Sequence, residues 1–180
     1  MNNKSRSIQT IFCLIFTIFL TSSCTIHLVS DYDAEMDKGV TGVQKQVEAI
    51  FGKLSDCVDP ATNVCKKPSS TYSADDYKKI RNEMSVLIVR SEAVSHNQET
   101  TRALYLLANS ICEGAPKPPA NLGVDLSVYP KITLQARQNN SVGMPIDIIR
   151  DAHTLINTQF RAILTYELAK KSGAEAASSK

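Results

Sequence analysis

Between Met36 and Leu54 the apolar residues stand at Met36, Val40, Val43, Val47, Ile50 and Leu54, in alternating steps of four and three. A strand would split such a set between two faces. A helix gathers it into one stripe. The spacing therefore predicts a long amphipathic helix over residues 32–54, sustained for about three heptads and obliged to bury one side against other helices. The chain's own helices can fill that role, and a seam completed by another chain is the alternative. Gly39, Gly42 and Gly52 interrupt the helix formers, each at a cost of about 1 kcal/mol relative to Ala. At positions 39 and 42 the missing side chain allows a neighbour to pack closely or bends the first turns.

Three more helices follow from the same pattern. Ser73 is a good N-cap, and Asp75 and Asp76 behind it suit the positive end of a helix. Tyr77, Ile80, Met84, Leu87, Ile88 and Val94 then mark a stripe, with Ser91 in line. His96-Asn97 breaks it, and Asn97 is placed to cap a third helix through Thr101, Leu104, Leu107, Ala108 and Ile111, stopping at Gly114. Pro145 suits the first turn of a last helix. There Ile146, Ile149, His153, Ile156, Phe160, Ile163 and Leu164 share a face, and the helix runs through about Leu168.

Residues 114–144 differ. Ala115-Pro116-Lys117-Pro118-Pro119 excludes helix. Alternation at Val124, Leu126 and Val128, and again at Ile132 and Leu134, predicts short extended pieces laid over the helices. The expected fold is all-α, a four-helix bundle with a long irregular Pro-rich crossover before the last helix. Short links make neighbours antiparallel, whereas the long link lets the last two helices run parallel. This domain is read as residues 31–171, with 172–180, small and polar, as a flexible tail.

Ahead of the domain, Lys4 and Arg6 precede an apolar run from Ile8 to Leu20 and the small residues Ser22 and Ser23. This is the order of a secretory signal, and the run falls short of the roughly 20 residues that span a bilayer. Leu20-Thr21-Ser22-Ser23-Cys24 resembles the lipobox of bacterial lipoproteins, departing from it at Thr21, where Leu is commonest. The resemblance implies that residues 1–23 are removed and that Cys24 carries the lipid, with palmitate-type acyl chains. Residues 24–30 are then the lipid anchor and a short tether. Two or more chains on one residue give stable anchoring. Thr25, in place of Asp, implies the outer membrane at its periplasmic face in a Gram-negative host. Ordinary cleavage, or an uncleaved anchor running on through Ile26, Leu28 and Val29, are the alternatives. Ser30-Asp31-Tyr32-Asp33, Asp37-Lys38-Gly39-Val40-Thr41 and Tyr166-Glu167-Leu168-Ala169-Lys170-Lys171 resemble the ends of the mature domain in a group of uncharacterised proteobacterial lipoproteins, which has no activity to transfer.

The signal segment accounts for the basic balance. The chain has 20 Lys and Arg against 18 Asp and Glu; without Lys4 and Arg6 the bases fall to 18. No basic patch remains to suggest nucleic acid. Export favours disulfides. Cys57 and Cys65 flank the turn-rich Val58-Asp59-Pro60-Ala61-Thr62-Asn63-Val64, so a Cys57–Cys65 bridge is expected, with Cys112 free; pairings of Cys112 with either partner stay open, because sequence cannot set connectivity.

Other chemistries find little support. There is no CxxC pair for zinc. Asp31, Asp33, Glu35 and Asp37 alternate like calcium ligands, but no Gly stands at the sixth position and Gly42 occupies the place of the bidentate Glu. They read instead as an acidic helix start. His153 on an apolar face, with Met36 or Met84 opposite, would be needed for haem, and CxxCH is absent. GxSxG, HExxH, P-loop and GxGxxG patterns are absent too. The reading is a lipid-anchored cell-envelope protein with a structural or protein-interaction role, without cofactor, metal or enzymatic activity. It meets the membrane through Cys24 and an envelope protein or a second copy through its helices. A small-molecule-binding bundle with a pocket covered by residues 114–144 is the rival, and an envelope enzyme is the third possibility.

Overall fold

A computed structural model of the chain describes residues 32–128, 132–139 and 143–178. The signal segment, Cys24, Asp31 and the tether lie outside them. The fold is mostly helical. The elements are α1 (Ala34–Asp56), β1 (Val58–Asp59), β2 (Val64–Cys65), α2 (Ala74–Ala93), α3 (Gln98–Ile111), the short α4 (Leu134–Gln138), β3 (Met144–Pro145) and α5 (Ile146–Ser178).

The seam of α1 is buried throughout: Met36, Val40, Val43, Val47, Ile50 and Leu54 are all at most 2% exposed. Burial of each such side chain contributes about 1.5–3 kcal/mol relative to exposure. Asp33 caps the helix, accepting from the backbone N–H groups of Glu35 and Met36. Ser73 caps α2 through Asp76 N–H at 3.1 Å. Along α2, Tyr77, Ile80, Met84, Leu87, Ile88 and Ser91 are buried, as are Thr101, Leu104, Leu107, Ala108 and Ile111 of α3.

The long helices touch in a closed cycle, α1 with α2, α2 with α3, α3 with α5 and α5 with α1. Cross-helix pairs set each direction. Asp33 meets Arg90 while Lys53 meets Asp76, so α1 and α2 are antiparallel. Tyr105 bonds Glu92 while the thiol of Cys112 meets Tyr77 O. Thr100 bonds Glu167 while Ser110 accepts from Gln159. The last two helices are therefore antiparallel, not parallel as the long link suggested. The crossover explains the difference. It runs out along α3, where Asn109 donates to Pro116 O and Arg102 to Leu122 O. It then returns to its starting end, where Gln135 accepts from Glu113 N–H.

Among the described residues of the crossover, the expected extended pieces do not form. Leu126–Val128 is a 3-10 turn, and Leu134 opens the helix α4, capped by Thr133. Two glutamines one turn apart pin α4. Gln138 accepts from Tyr77 Oη at 2.7 Å and donates to Thr71; Gln135 donates to Tyr72 Oη. A small sheet also went unanticipated. β1 and β2 pair antiparallel around the loop closed by the Cys57–Cys65 disulfide, and β3 joins β2. Gly143 permits that third strand, since a Cβ there would lie 2.8 Å from Val64 Cγ1. Pro145 ends the strand just before α5 and is not inside the helix. The helix itself continues to Ser178, past Leu168.

Gly39 and Gly42 behave differently. A Cβ on Gly39 would meet Leu87 Cδ2 at 2.6 Å, and one on Gly42 meets nothing within 4 Å. Gly42→Ala should raise stability by about 0.5–1 kcal/mol through helix propensity alone. Gly39→Ala should gain less or lose, because Leu87 must shift. Urea unfolding midpoints of the two variants check this order; equal gains would contradict the close approach at Gly39.

Candidate functional site

The closeness of α1 and α2 at Gly39 has a counterpart on the surface. Between the two helices runs an open trough of about 450 Å³, lined on one side by Glu35, Lys38, Gly39 and Gly42 and on the other by Asn82, Glu83, Val86, Leu87 and Arg90. Two glycines remove side chains from its floor. On α2, Val86 is 67% exposed, and Val89 nearby is 65% exposed. The rim carries both signs of charge. Glu83 accepts from Gln46, and Arg90 forks onto the Asp33 carboxylate. That fork holds the Asp33 carboxyl below its ordinary range, with help from the capping N–H groups and against the effect of burial.

A second feature lies at the end of the bundle where α1 begins. The buried face of α5 passes through Ile156, Phe160 and Ile163 and then continues, in the same steps, to Glu167 and Lys170. Both are charged, and they are 0% and 8% exposed. Lys170 Nζ donates to Asn97 Oδ1 at 2.5 Å, Thr100 Oγ1 at 3.0 Å and Glu167 Oε1 at 2.5 Å. All three ammonium protons are thus matched. Thr100 Oγ1 also donates to Glu167 Oε1 at 2.9 Å, while Glu167 Oε2 has no hydrogen-bond partner among the described residues. Asn97 occupies the N-cap position of α3, yet its side chain makes no capping bond, contrary to expectation. It serves Lys170 and donates to Ser91 O instead. Next along α5, Lys171 sits 5.8 Å from the ring centroid of Tyr32, the residue with which the described chain begins.

His153 is a boundary residue. Its Nε2 lies 2.8 Å and 3.0 Å from the two oxygens of Glu48, and its ring packs on Phe51. Met36 and Met84 are buried in the core. Among the described residues no cluster of His, Cys, Asp or Glu is arranged to hold a metal ion.

A third feature sits beneath α4. A cavity of about 200 Å³ is walled by Leu134, Ile156, Ile132, Ile148 and Leu155, with Ser110, Arg137 and Asp151 also on its lining. Ile132, Ile148 and Leu155 are 50%, 37% and 38% exposed.

Of the residues singled out by sequence, Cys57 and Cys65 are joined, with Cα atoms 5.0 Å apart. Cys112 is buried and unbridged, which removes the alternative pairings. Burial pushes its thiol up to about 12, so it stays protonated and unreactive at neutral pH. Asp33 caps α1, and Glu35 and Asp37 stand in its first turn, the acidic helix start expected. Cys24 and Asp31 lie outside the described residues. Glu167, Lys170 and Thr100 were missed. The three-four step beyond Ile163 was the available signal, hidden because charged side chains occupy the core positions. No helix among the described residues is long and apolar enough to cross a membrane. Compared with protein-family models, curated proteins and solved structures, the chain matches none.

The buried pair predicts a specific stability pattern. Lys170→Met leaves the Glu167 carboxylate buried and uncompensated and should cost about 3–5 kcal/mol. The double variant Glu167→Leu with Lys170→Met should recover most of that loss. Denaturant unfolding of the two variants decides; equal stability of both would refute mutual compensation.

Proposed function

We propose that this protein is a lipid-anchored component of the cell envelope that acts by binding another envelope protein. Cys24 holds it to a membrane, at the periplasmic face of the outer membrane in a Gram-negative host. Residues 25–30 form a short tether, and a four-helix bundle presents the α1–α2 trough to an amphipathic helix of the partner. The closed cycle of antiparallel contacts supports the bundle reading. The lipobox-like stretch before Cys24, and the likeness to uncharacterised proteobacterial lipoproteins, support the anchor.

The trough is the observation that carries the interaction. A furrow between two helices, apolar along Val86 and Leu87 and bare at Gly42, suits the apolar face of a third helix. Glu35 and Glu83 alternate with Lys38 and Arg90 around it, so the complementary helix carries both signs of charge. Nothing in this reading requires catalysis or a cofactor.

Two measurements test it. Cys24→Ala should release the protein from membranes and abolish fatty-acid labelling; normal labelling refutes lipidation at that residue. A photocrosslinker at Val89 should trap a second protein in cells, and Val86→Asp should abolish the adduct. An adduct with a second copy of this chain would assign the trough to self-association, and a lone monomer would refute docking there.

The cavity beneath α4 favours a second reading, a small-molecule binder. A cavity of about 200 Å³ with apolar walls and a charged residue of each sign suits a small amphiphile. Native mass spectrometry after gentle purification should then show a bound species that Ile148→Trp excludes; the bare protein mass alone would sink this reading.

A further inference from the structure

We propose that the cavity beneath α4 holds a small zwitterion with an apolar branch, the chemistry of a free apolar amino acid, with its carboxylate on Arg137 and its ammonium on Asp151. This rests on the reading of that cavity as a ligand site and names the class of ligand.

Charge is the first argument. Among the described residues three polar side chains line the cavity, Ser110, Arg137 and Asp151. Ser110 is already engaged: its hydroxyl donates to Leu106 O at 2.9 Å and accepts from Gln159 Nε2 at 3.0 Å. Arg137 and Asp151 are not. Among the described residues neither side chain makes a hydrogen bond or an ion pair, with the other or with anything else. The lining therefore offers a ligand one cation and one anion that do not neutralise each other. A guanidinium receives a carboxylate through two parallel N–H groups, and a carboxylate accepts from an ammonium. A ligand with a single charge would leave one of the two facing it unpaired.

The gap between these groups is built into the fold. Arg137 stands on α4 and Asp151 on α5. Gln135 and Gln138 fix α4 against turning, through Tyr72, Tyr77 and Thr71. A ligand that bridges the gap finds it already formed and needs little reordering of the protein.

Size and lining supply the apolar branch. The other walls are Ile132, Leu134, Ile148, Ala152, Leu155 and Ile156. Ile132, Ile148 and Leu155 keep 50%, 37% and 38% of their surface in water, and an aliphatic branch laid on them would remove apolar area from solvent. The volume of about 200 Å³ lies below the roughly 300–1,000 Å³ of pockets for drug-sized ligands. The occupant is therefore a headgroup with a short branch, and a lipid's long acyl chain does not fit. Phosphoethanolamine, the headgroup of a zwitterionic lipid, shares the two charges but has no branch to cover Ile148 and Leu155.

Leucine is the probe, titrated against the full-length protein in a non-ionic detergent and followed by saturation-transfer NMR. Leucine should bind, and 4-methylpentanoate, which lacks the amine, and 3-methylbutylamine, which lacks the carboxylate, should each bind about tenfold or more weakly. Arg137→Gln and Asp151→Asn should weaken leucine by a similar factor. Neither side chain has an intramolecular bond to lose, so both variants should unfold at the parent temperature. Ile148→Trp should abolish binding. Phosphoethanolamine binding as tightly as leucine would overturn the amino-acid assignment in favour of a lipid headgroup. Equal binding of leucine and its two singly charged analogues, all lost in Ile148→Trp, would refute the zwitterion and keep the cavity as a ligand site. Leucine that fails to bind, or binds regardless of Ile148→Trp, would overturn the proposal, and native mass spectrometry then judges the cavity by itself.

Discussion

The rest of the molecule is arranged around the need to remove one stripe of α1 from water. Six apolar side chains at three-four spacing form a face that one neighbouring helix is too narrow to cover. The helix is therefore flanked on both sides, by α2 and by α5. The polar contacts along those two seams, Lys53 with Asp76 and His153 with Glu48, are partly exposed. Such pairs contribute about 0–1 kcal/mol. They decorate an arrangement set by burial. Gly39 allows Leu87 to come close, and the same missing side chains leave the trough outside.

The core changes character at the end where α1 begins. Glu167 and Lys170 take positions that apolar residues fill elsewhere on α5. A buried ion pair is seldom a source of net stability compared with well-packed hydrophobic residues. Its requirements are directional, however. Lys170 needs Asn97 and Thr100 of one particular turn, so α5 cannot slide along α3 by a turn without stranding a charge. Apolar contacts alone would tolerate such a slip far better.

Much of this was legible in the sequence, for a physical reason. Stripes at Met36–Leu54 and Tyr77–Ser91 repeat a local geometry, and caps such as Ser73 act within one turn. The Cys57–Cys65 bridge closes a short loop and was readable for the same reason. What escaped depends on long-range partners. Leu134–Gln138 is too short to show a period, and it holds its place through Tyr72, Tyr77 and Thr71, more than sixty residues away in the chain. β3 exists because β2 is there to pair with it. Glu167 and Lys170 looked like surface residues because their identity argued against the burial that their spacing implied. At the trough the glycines were visible, but only the position of Leu87 separates Gly39, which is packed, from Gly42, which is open.

The path of the crossover bears on what that segment is for. Ile111 ends α3 and Ile146 begins α5 at the same end of the bundle. A link of a few residues would join them with the same topology, and loop closure grows only slowly more costly with length. Residues 112–145 are thus dispensable to connectivity, and their length is free to vary without rewiring the helices. What they add is a wall: α4 and Ile132 roof a hollow that α3 and α5 alone would leave as open surface. The segment is an addition to the connectivity and yet part of the core, to which it gives the buried side chains of Cys112, Leu122, Leu134 and Met144.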